Sequence, residues 1–204
     1  MGEFSVETNS YSNIGRKRID FWDEDNLSLS LFRYKPGKSG QSDEATQLIL
    51  GFKKSDPGCL SAALMQVNDA VEKFLEIWKR EHDCRHIVPV PSHIAHEVSP
   101  SSKLACRFIS KMFPWLEYPE ELLFRREGVI PAHLAYPEQR PTAMEHFESL
   151  GCSKREDLGG AGVILFDDVR TTGNTSQACR WRLQRDAKCG EVVRLFLGNA
   201  GLSF

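Results

Sequence analysis

Val163-Ile164-Leu165-Phe166-Asp167-Asp168-Val169-Arg170-Thr171-Thr172-Gly173-Asn174-Thr175 is the stretch whose reading decides the fold. Four apolar residues run into two acids, then into a short series of hydroxyl-bearing and small residues. The apolar run is too short for a helix and no polar residue interrupts it, the pattern of a strand buried on both faces of a parallel sheet. A helix is predicted over residues 176–185, so residues 171–175 form a strand-to-helix turn. Such a turn directs backbone N–H groups and a helix N-terminus outward, where they suit an anion. Gly173 permits close backbone approach, the threonine hydroxyls can donate to phosphate oxygens, and Asp167 and Asp168 can accept from vicinal hydroxyls. Phosphate donors beside diol acceptors describe a phosphorylated ribose. A plain strand-turn-helix with solvated acids would use the same residue types.

Residues 167–175 resemble the phosphoribosyl-diphosphate (PRPP) loop of type I phosphoribosyltransferases in the acid pair, the threonines and the glycine. Arg170 departs from the pattern, standing where that family usually has an aliphatic residue. The resemblance implies PRPP as donor with Mg²⁺ as cofactor, Asp167 and Asp168 holding the ribose hydroxyls directly or through the magnesium shell. Val169, Arg170, Thr171, Thr172, Gly173, Asn174 and Thr175 then form the substrate loop, residues 171–175 cradling the 5′-phosphate. It implies a base-like acceptor and release of pyrophosphate. In 6-oxopurine phosphoribosyltransferases the position of Thr171 holds an aspartate, so hypoxanthine and guanine are disfavoured as acceptors.

Upstream, the apolar residues Ile87, Val88 and Val90 predict a strand over residues 86–91, and Ser99-Pro100 opens a helix with apolar positions Leu104, Ala105, Phe108, Ile109 and Met112. This second strand, turn and hydroxyl-rich helix start resembles the family's pyrophosphate loop, with Ser92 and His93 nearest the expected contacts. Hydroxyls at a helix start also cap helices generally. Residues 121–124 predict a second strand. Residues 125–140 then lack a period and carry Arg125, Arg126, Arg140 and His133 among turn-forming residues. A long irregular stretch within a domain is commonly functional or disordered. By resemblance it is the family's flexible hood, its three arginines placed to meet the departing pyrophosphate. Residues 141–150 predict a short helix, with His146 near its apolar stripe.

Nearer the N-terminus, Asp56-Pro57 opens an amphipathic helix through Leu64, Val67, Val71, Phe74, Leu75 and Trp78. Residues 26–34 and 45–54 predict extended segments that pair as a hairpin or small sheet before the core. The pairing Phe32-Arg33-Tyr34 with Leu48-Ile49-Leu50-Gly51-Phe52-Lys53 resembles the start of the core in ComF-like phosphoribosyltransferases, which implies an accessory role in DNA uptake or defence and a nucleic-acid-related partner protein as an alternative. Residues 1–18 predict a flexible arm, leaving 19–204 as one domain. The alternation of strands and helices predicts an α/β fold, a parallel sheet with helices on both faces, with a small N-terminal β element and an irregular hood. Ligands in such sheets bind beyond the strand C-termini.

The 204 residues are 41% hydrophobic and 26% charged with net charge −2, ordinary for a soluble domain and without a global pull toward nucleic acid or membrane. No apolar run reaches the length of a membrane span, and the N-terminus lacks a signal segment. The six cysteines are scattered without CxxC or zinc-ligand spacing, which predicts reduced thiols in a cytoplasmic protein. A homodimer is compatible with these features. A catalytically silent PRPP- or nucleotide-binding regulatory module is the competing reading.

Overall fold

The computed structural model describes residues 21–23, 27–35, 43–131, 135–136, 139–153 and 157–200. The arm expected over residues 1–18 and His133 of the expected hood lie outside the described residues. The elements are β1 (Phe21–Asp23), β2 (Ser28–Arg33), α1 (Glu44–Lys53), α2 (Pro57–His82), β3 (Cys84–Pro89), α3 (Pro100–Met112), β4 (Leu123–Arg125), α4 (Ala143–Ser149), β5 (Leu150–Cys152), β6 (Gly162–Arg170), α5 (Asn174–Asp186) and β7 (Val192–Asn199). The main sheet has the order β1-β2-β7-β6-β3; all its pairings are parallel except that of β1 with β2. The protein is an α/β fold with helices on both faces of that sheet.

Alternation along β6 explains the two layers. Ile164 and Phe166 join the larger core with Ile49 and Phe52 of α1, Leu75 and Trp78 of α2 and Ile109 of α3. Val163 and Leu165 face the other way, against Ala178, Cys179 and Leu183 of α5. Phe166 is fully buried and meets Phe52 edge to face at 6.3 Å. Burying one such side chain stabilises the fold by about 2–3 kcal/mol. The helices start where the sequence caps them: the Asp56 side chain accepts from Cys59 N at the head of α2, and Thr142 and Glu145 form a reciprocal capping box on α4.

Four expectations are corrected. Residues 45–54 form helix α1, not a strand, because Asp43 caps Thr46 N and Ala45, Ile49 and Phe52 fall at helical spacing into the core. The consecutive apolar residues Leu48, Ile49 and Leu50 mimic a strand only while that spacing is ignored. Segment 26–34 therefore has no hairpin partner there; β2 instead enters the main sheet parallel to β7, with β1 as its small antiparallel companion.

The strand expected over 121–124 also lies outside the main sheet. It becomes β4, antiparallel to β5 in a separate two-stranded sheet. Next to β3 the chain makes one parallel bridge, His86 to Glu117, with Ile87 N donating to Glu117 O. Continuing that ladder would need donors from Pro89 and Pro119, which have no N–H. The chain departs there and leaves a cavity of about 580 Å³ lined by Val88, Tyr118, Leu122, Phe124, His96 and Lys103. On α3, Leu104 and Met112 are exposed, and Ser101, Ser102, Ala105, Cys106 and Ile109 form the buried stripe instead.

Candidate functional site

Strand β6 does not stop at the acids. It stays paired with β7 through Asp167 to Phe196, Val169 to Gly198 and Arg170 to Asn199, so the turn contracts to residues 171–173. Gly173 then caps α5 with φ +82°, a left-handed conformation that costs residues with a Cβ. Gln177 N and the Ser176 hydroxyl both donate to Gly173 O, closing the first helical turn. Thr171 and Thr172 are exposed, and Thr172 Oγ1 accepts from Asn174 N at 3.3 Å, keeping its own proton for another acceptor. The N–H groups that open α5 have no partners inside the helix and carry the positive end of its dipole. Exposed hydroxyls and the positive end of a helix dipole therefore meet at this end of the sheet, a combination whose chemistry suits an anion.

Strand geometry also separates the two carboxylates. Consecutive strand residues point to opposite faces. Asp168 Oδ2 lies 3.5 Å from Lys53 Nζ at the end of α1. Asp167 takes the strand register of Val163 and Leu165, which face α5; burial, opposed by the Arg125 guanidinium and aided by the Asp167 charge, pushes the Cys179 thiol up to about 12. Burial first, and the Asp168 carboxylate second, hold the Asp167 carboxyl well above the ordinary carboxylate range. Asp167 Oδ1 accepts from Asp168 N at 2.9 Å. The two acids are thus unlike: Asp168 faces a cation, while Asp167 is held in a setting that disfavours its charge.

The loop after β3, residues 90–99, spends its polar groups on itself and on its supports. Ser92 N donates to Glu97 O, Ile94 N donates to Ser92 Oγ, and Val129 N donates to His93 O. Arg125, expected in the hood, is 1% exposed. Its Nε donates to Ser92 O and its Nη1 to Ser149 Oγ, which corrects its reading as a residue that meets pyrophosphate. Burial lowers its pKa, so this cation is retained in place by its hydrogen bonds rather than by solvent. Arg126 donates through Nε and Nη2 to Leu150 O. Arg140 and the His93 side chain are exposed.

Among the remaining predicted residues, Val169 packs against the larger core, and Arg170 donates through Nη1 to Ser28 Oγ at 2.9 Å while its Nε lies beside Gly173 of the turn. Asn174 Nδ2 donates to Pro141 O, joining the turn to the segment before α4. Two residues were missed by sequence reasoning. Lys53 was hidden because its segment reads as a strand, although a lysine in the last turn of a capped helix was a recoverable signal. His146, 7% exposed, places Nε2 3.2 Å from Thr175 Oγ1, a pairing between residues 29 apart that no local pattern announces.

Among the described residues, no group of three or more His, Cys, Asp or Glu side chains is arranged to hold a metal. One carboxylate beside a lysine fits Mg²⁺ only in the manner that ion favours, coordinated largely by water and ligand phosphates. The six cysteines are free thiols. No helix among the described residues is long and apolar enough to cross a membrane.

No family model matches the chain, and no curated protein matches it. Among solved structures, adenine phosphoribosyltransferase from Leishmania tarentolae is similar with a TM-score of 0.42 at 15% identity, over 87% of this chain and 94% of that one. The adenine phosphoribosyltransferase from Leishmania donovani gives a TM-score of 0.44 at 14% identity, over 88% and 86%. Similarity at this level assigns neither family nor activity.

Proposed function

We propose that this protein binds PRPP with Mg²⁺ and transfers its phosphoribosyl group to a nucleobase-like acceptor, releasing pyrophosphate, as a type I phosphoribosyltransferase does. The observation that carries the reading is the end of β6: an acid facing a cation, then an exposed threonine turn, then a glycine-capped helix start, all within residues 167–175. The first turn of α5 and the hydroxyls of Thr171, Thr172 and Thr175 hold the 5′-phosphate. Asp168 takes the ribose hydroxyls directly or through the magnesium shell. The metal would neutralise charge on the diphosphate; the chain itself orients the sugar and keeps the phosphate fixed while positive charge gathers at the anomeric carbon. Arg140, exposed and followed by the segment tied to Asn174, is the arginine in reach of the leaving group by this reading.

A second reading keeps the ligand and removes turnover: a PRPP-binding regulatory module. Lys53 favours it, because its ammonium already occupies the neighbourhood of Asp168 where cationic help would be needed. Calorimetry with PRPP and Mg²⁺, followed by pyrophosphate release over a panel of bases, separates the two. Binding with turnover on one base supports the transferase. Binding without turnover on any base supports the module, and no binding overturns both.

A further inference from the structure

We propose that His146 is a positioning residue for Thr175: its Nε2–H donates to Thr175 Oγ1, which turns the threonine proton into the anion turn. The inference rests on reading that turn as a phosphate cradle.

Three observations carry it. The contact is 3.2 Å, and His146 is almost wholly buried, so the ring is held and not sampling solvent. The other ring nitrogen, Nδ1, is buried and makes no hydrogen bond among the described residues. A neutral imidazole has one N–H and one bare nitrogen. Were the proton on Nδ1, a buried N–H would be orphaned, which native structures rarely tolerate. Thr175 would then have to spend its own proton on Nε2 and could only accept. With the proton on Nε2, the bare nitrogen sits in the buried pocket, Thr175 accepts from the histidine, and its hydroxyl proton remains for a phosphate oxygen.

The surroundings agree. Burial, followed by the field of the Arg125 guanidinium, pushes the His146 pKa down to about 4, so the ring is neutral near pH 7. Helix α4 is fixed at both ends, by the Thr142–Glu145 capping box and by the Arg125 bond to Ser149. Asn174 is tied to Pro141 just ahead of the same helix. The donor therefore arrives at Thr175 on a preset path.

The test uses the full chain, PRPP with Mg²⁺ as the probe, and the variants His146→Phe, His146→Gln, Thr175→Val and the Phe/Val double. Losing a hydrogen bond to a charged ligand weakens binding about tenfold. His146→Phe and Thr175→Val should each show that loss, and the double variant should be no weaker than either single one. His146→Gln, whose amide can donate at a similar reach, should recover to within about threefold of the parent. Nitrogen-15 NMR of the parent should report the Nε2–H tautomer, a readout that packing alone does not set. Unchanged affinity in His146→Phe, additive losses, or an Nδ1–H tautomer would overturn the proposal. If His146→Phe fails to fold, the tautomer and the comparison of His146→Gln with Thr175→Val decide it. Absence of PRPP binding by the parent protein overturns the phosphate reading instead, and the tautomer then still decides the His146–Thr175 bond.

Discussion

The two crossings from strand to helix at the same end of the sheet use similar residues for opposite ends. After β6, three residues suffice: two exposed threonines and a left-handed glycine deliver the chain straight into α5. After β3, residues 90–99 fold back on themselves, and a buried arginine grips the loop at Ser92 O. Both contain hydroxyl side chains ahead of a helix start. In one, Thr172 Oγ1 accepts from Asn174 N but keeps its proton; in the other, Ser92 Oγ accepts from Ile94 N and donates to Ile94 O, and Ser99 Oγ pairs with Ser101 Oγ. Hydroxyls at a helix start thus do not identify an anion site. Their availability is what separates the two crossings, and that depends on how much loop there is to satisfy them.

The strongest way to test this difference is Arg125→Ala. It strips Ser92 O and Ser149 Oγ of their buried donor, a loss of about 3 kcal/mol when two buried groups are affected. Thermal unfolding should shift down accordingly. Hydrogen exchange should quicken in residues 92–97 and 149–151 while residues 171–177 stay protected; equal loosening at both crossings would erase the distinction between them.

Acid should act through α4, which pairs with Thr175 directly and is linked to the crossing after β3 through Arg125. The folded pKa of His146 is near 4 against an ordinary value of 6.5. Below 6.5 the unfolded chain takes up a proton that the folded chain refuses. The stability is therefore fully present above about pH 6.5 and is lost as pH falls toward 4, by roughly 2 kcal/mol after allowing for relaxation. Denaturant titrations at pH 7 and 4.5 in the parent and His146→Gln should differ by this amount, and identical pH slopes would count against it.

Gly173→Ala is a smaller and more local change. Its added Cβ would meet Arg170 Nε at 3.7 Å and Ser176 Oγ at 3.9 Å, ordinary contacts, so the cost is the backbone's alone. That cost is about 1–2 kcal/mol, and Gly173→Asn should recover part of it. An alanine variant as stable as the parent would mean the turn has another conformation available.

The acid pair gives the finest contrast. Asp168→Asn should weaken PRPP binding by at least about tenfold, roughly 1.4 kcal/mol. Asp167→Asn should instead stabilise the free protein near pH 7. The Asp167 pKa is raised, so the carboxylic acid contributes fully below its unfolded pKa and loses that contribution as pH rises toward the folded one. An amide removes this penalty and can still accept from Asp168 N. A gain of about 1 kcal/mol, or 2–4 °C in Tm, is expected. A fall in Tm would show that Asp167 is paired more favourably than its setting implies.

Much of this architecture was legible in local pattern. Val163 to Phe166 announced a strand buried on both sides, Asp56-Pro57 announced the start of α2, and Thr171 to Thr175 announced a strand-to-helix turn, which the structure shortens to residues 171–173. These readings rest on short-range rules: side-chain periodicity, caps and permitted φ values. The misreadings came where two short-range rules compete or where the ladder ends for a distant reason. Leu48-Ile49-Leu50 satisfies a strand run as well as a helix face, and packing of Ile49 and Phe52 on the sheet settled it. Residues 121–124 have strand character, but Pro89 and Pro119, thirty positions apart, deny them the place beside β3.

The sequence alone determined the parallel core, the order of its main elements and the position of the acid–threonine–glycine segment, because each follows from neighbours within a few residues. Only the tertiary structure decided what those groups do. Pairing with β7 carried β6 past its acids and turned Asp167 and Asp168 to opposite faces. Chain segments remote in sequence brought Lys53 to Asp168, His146 to Thr175 and buried Arg125 under Ser92. A charge or a hydroxyl has its chemistry set by what surrounds it, and in a folded chain those surroundings come mostly from elsewhere in the sequence.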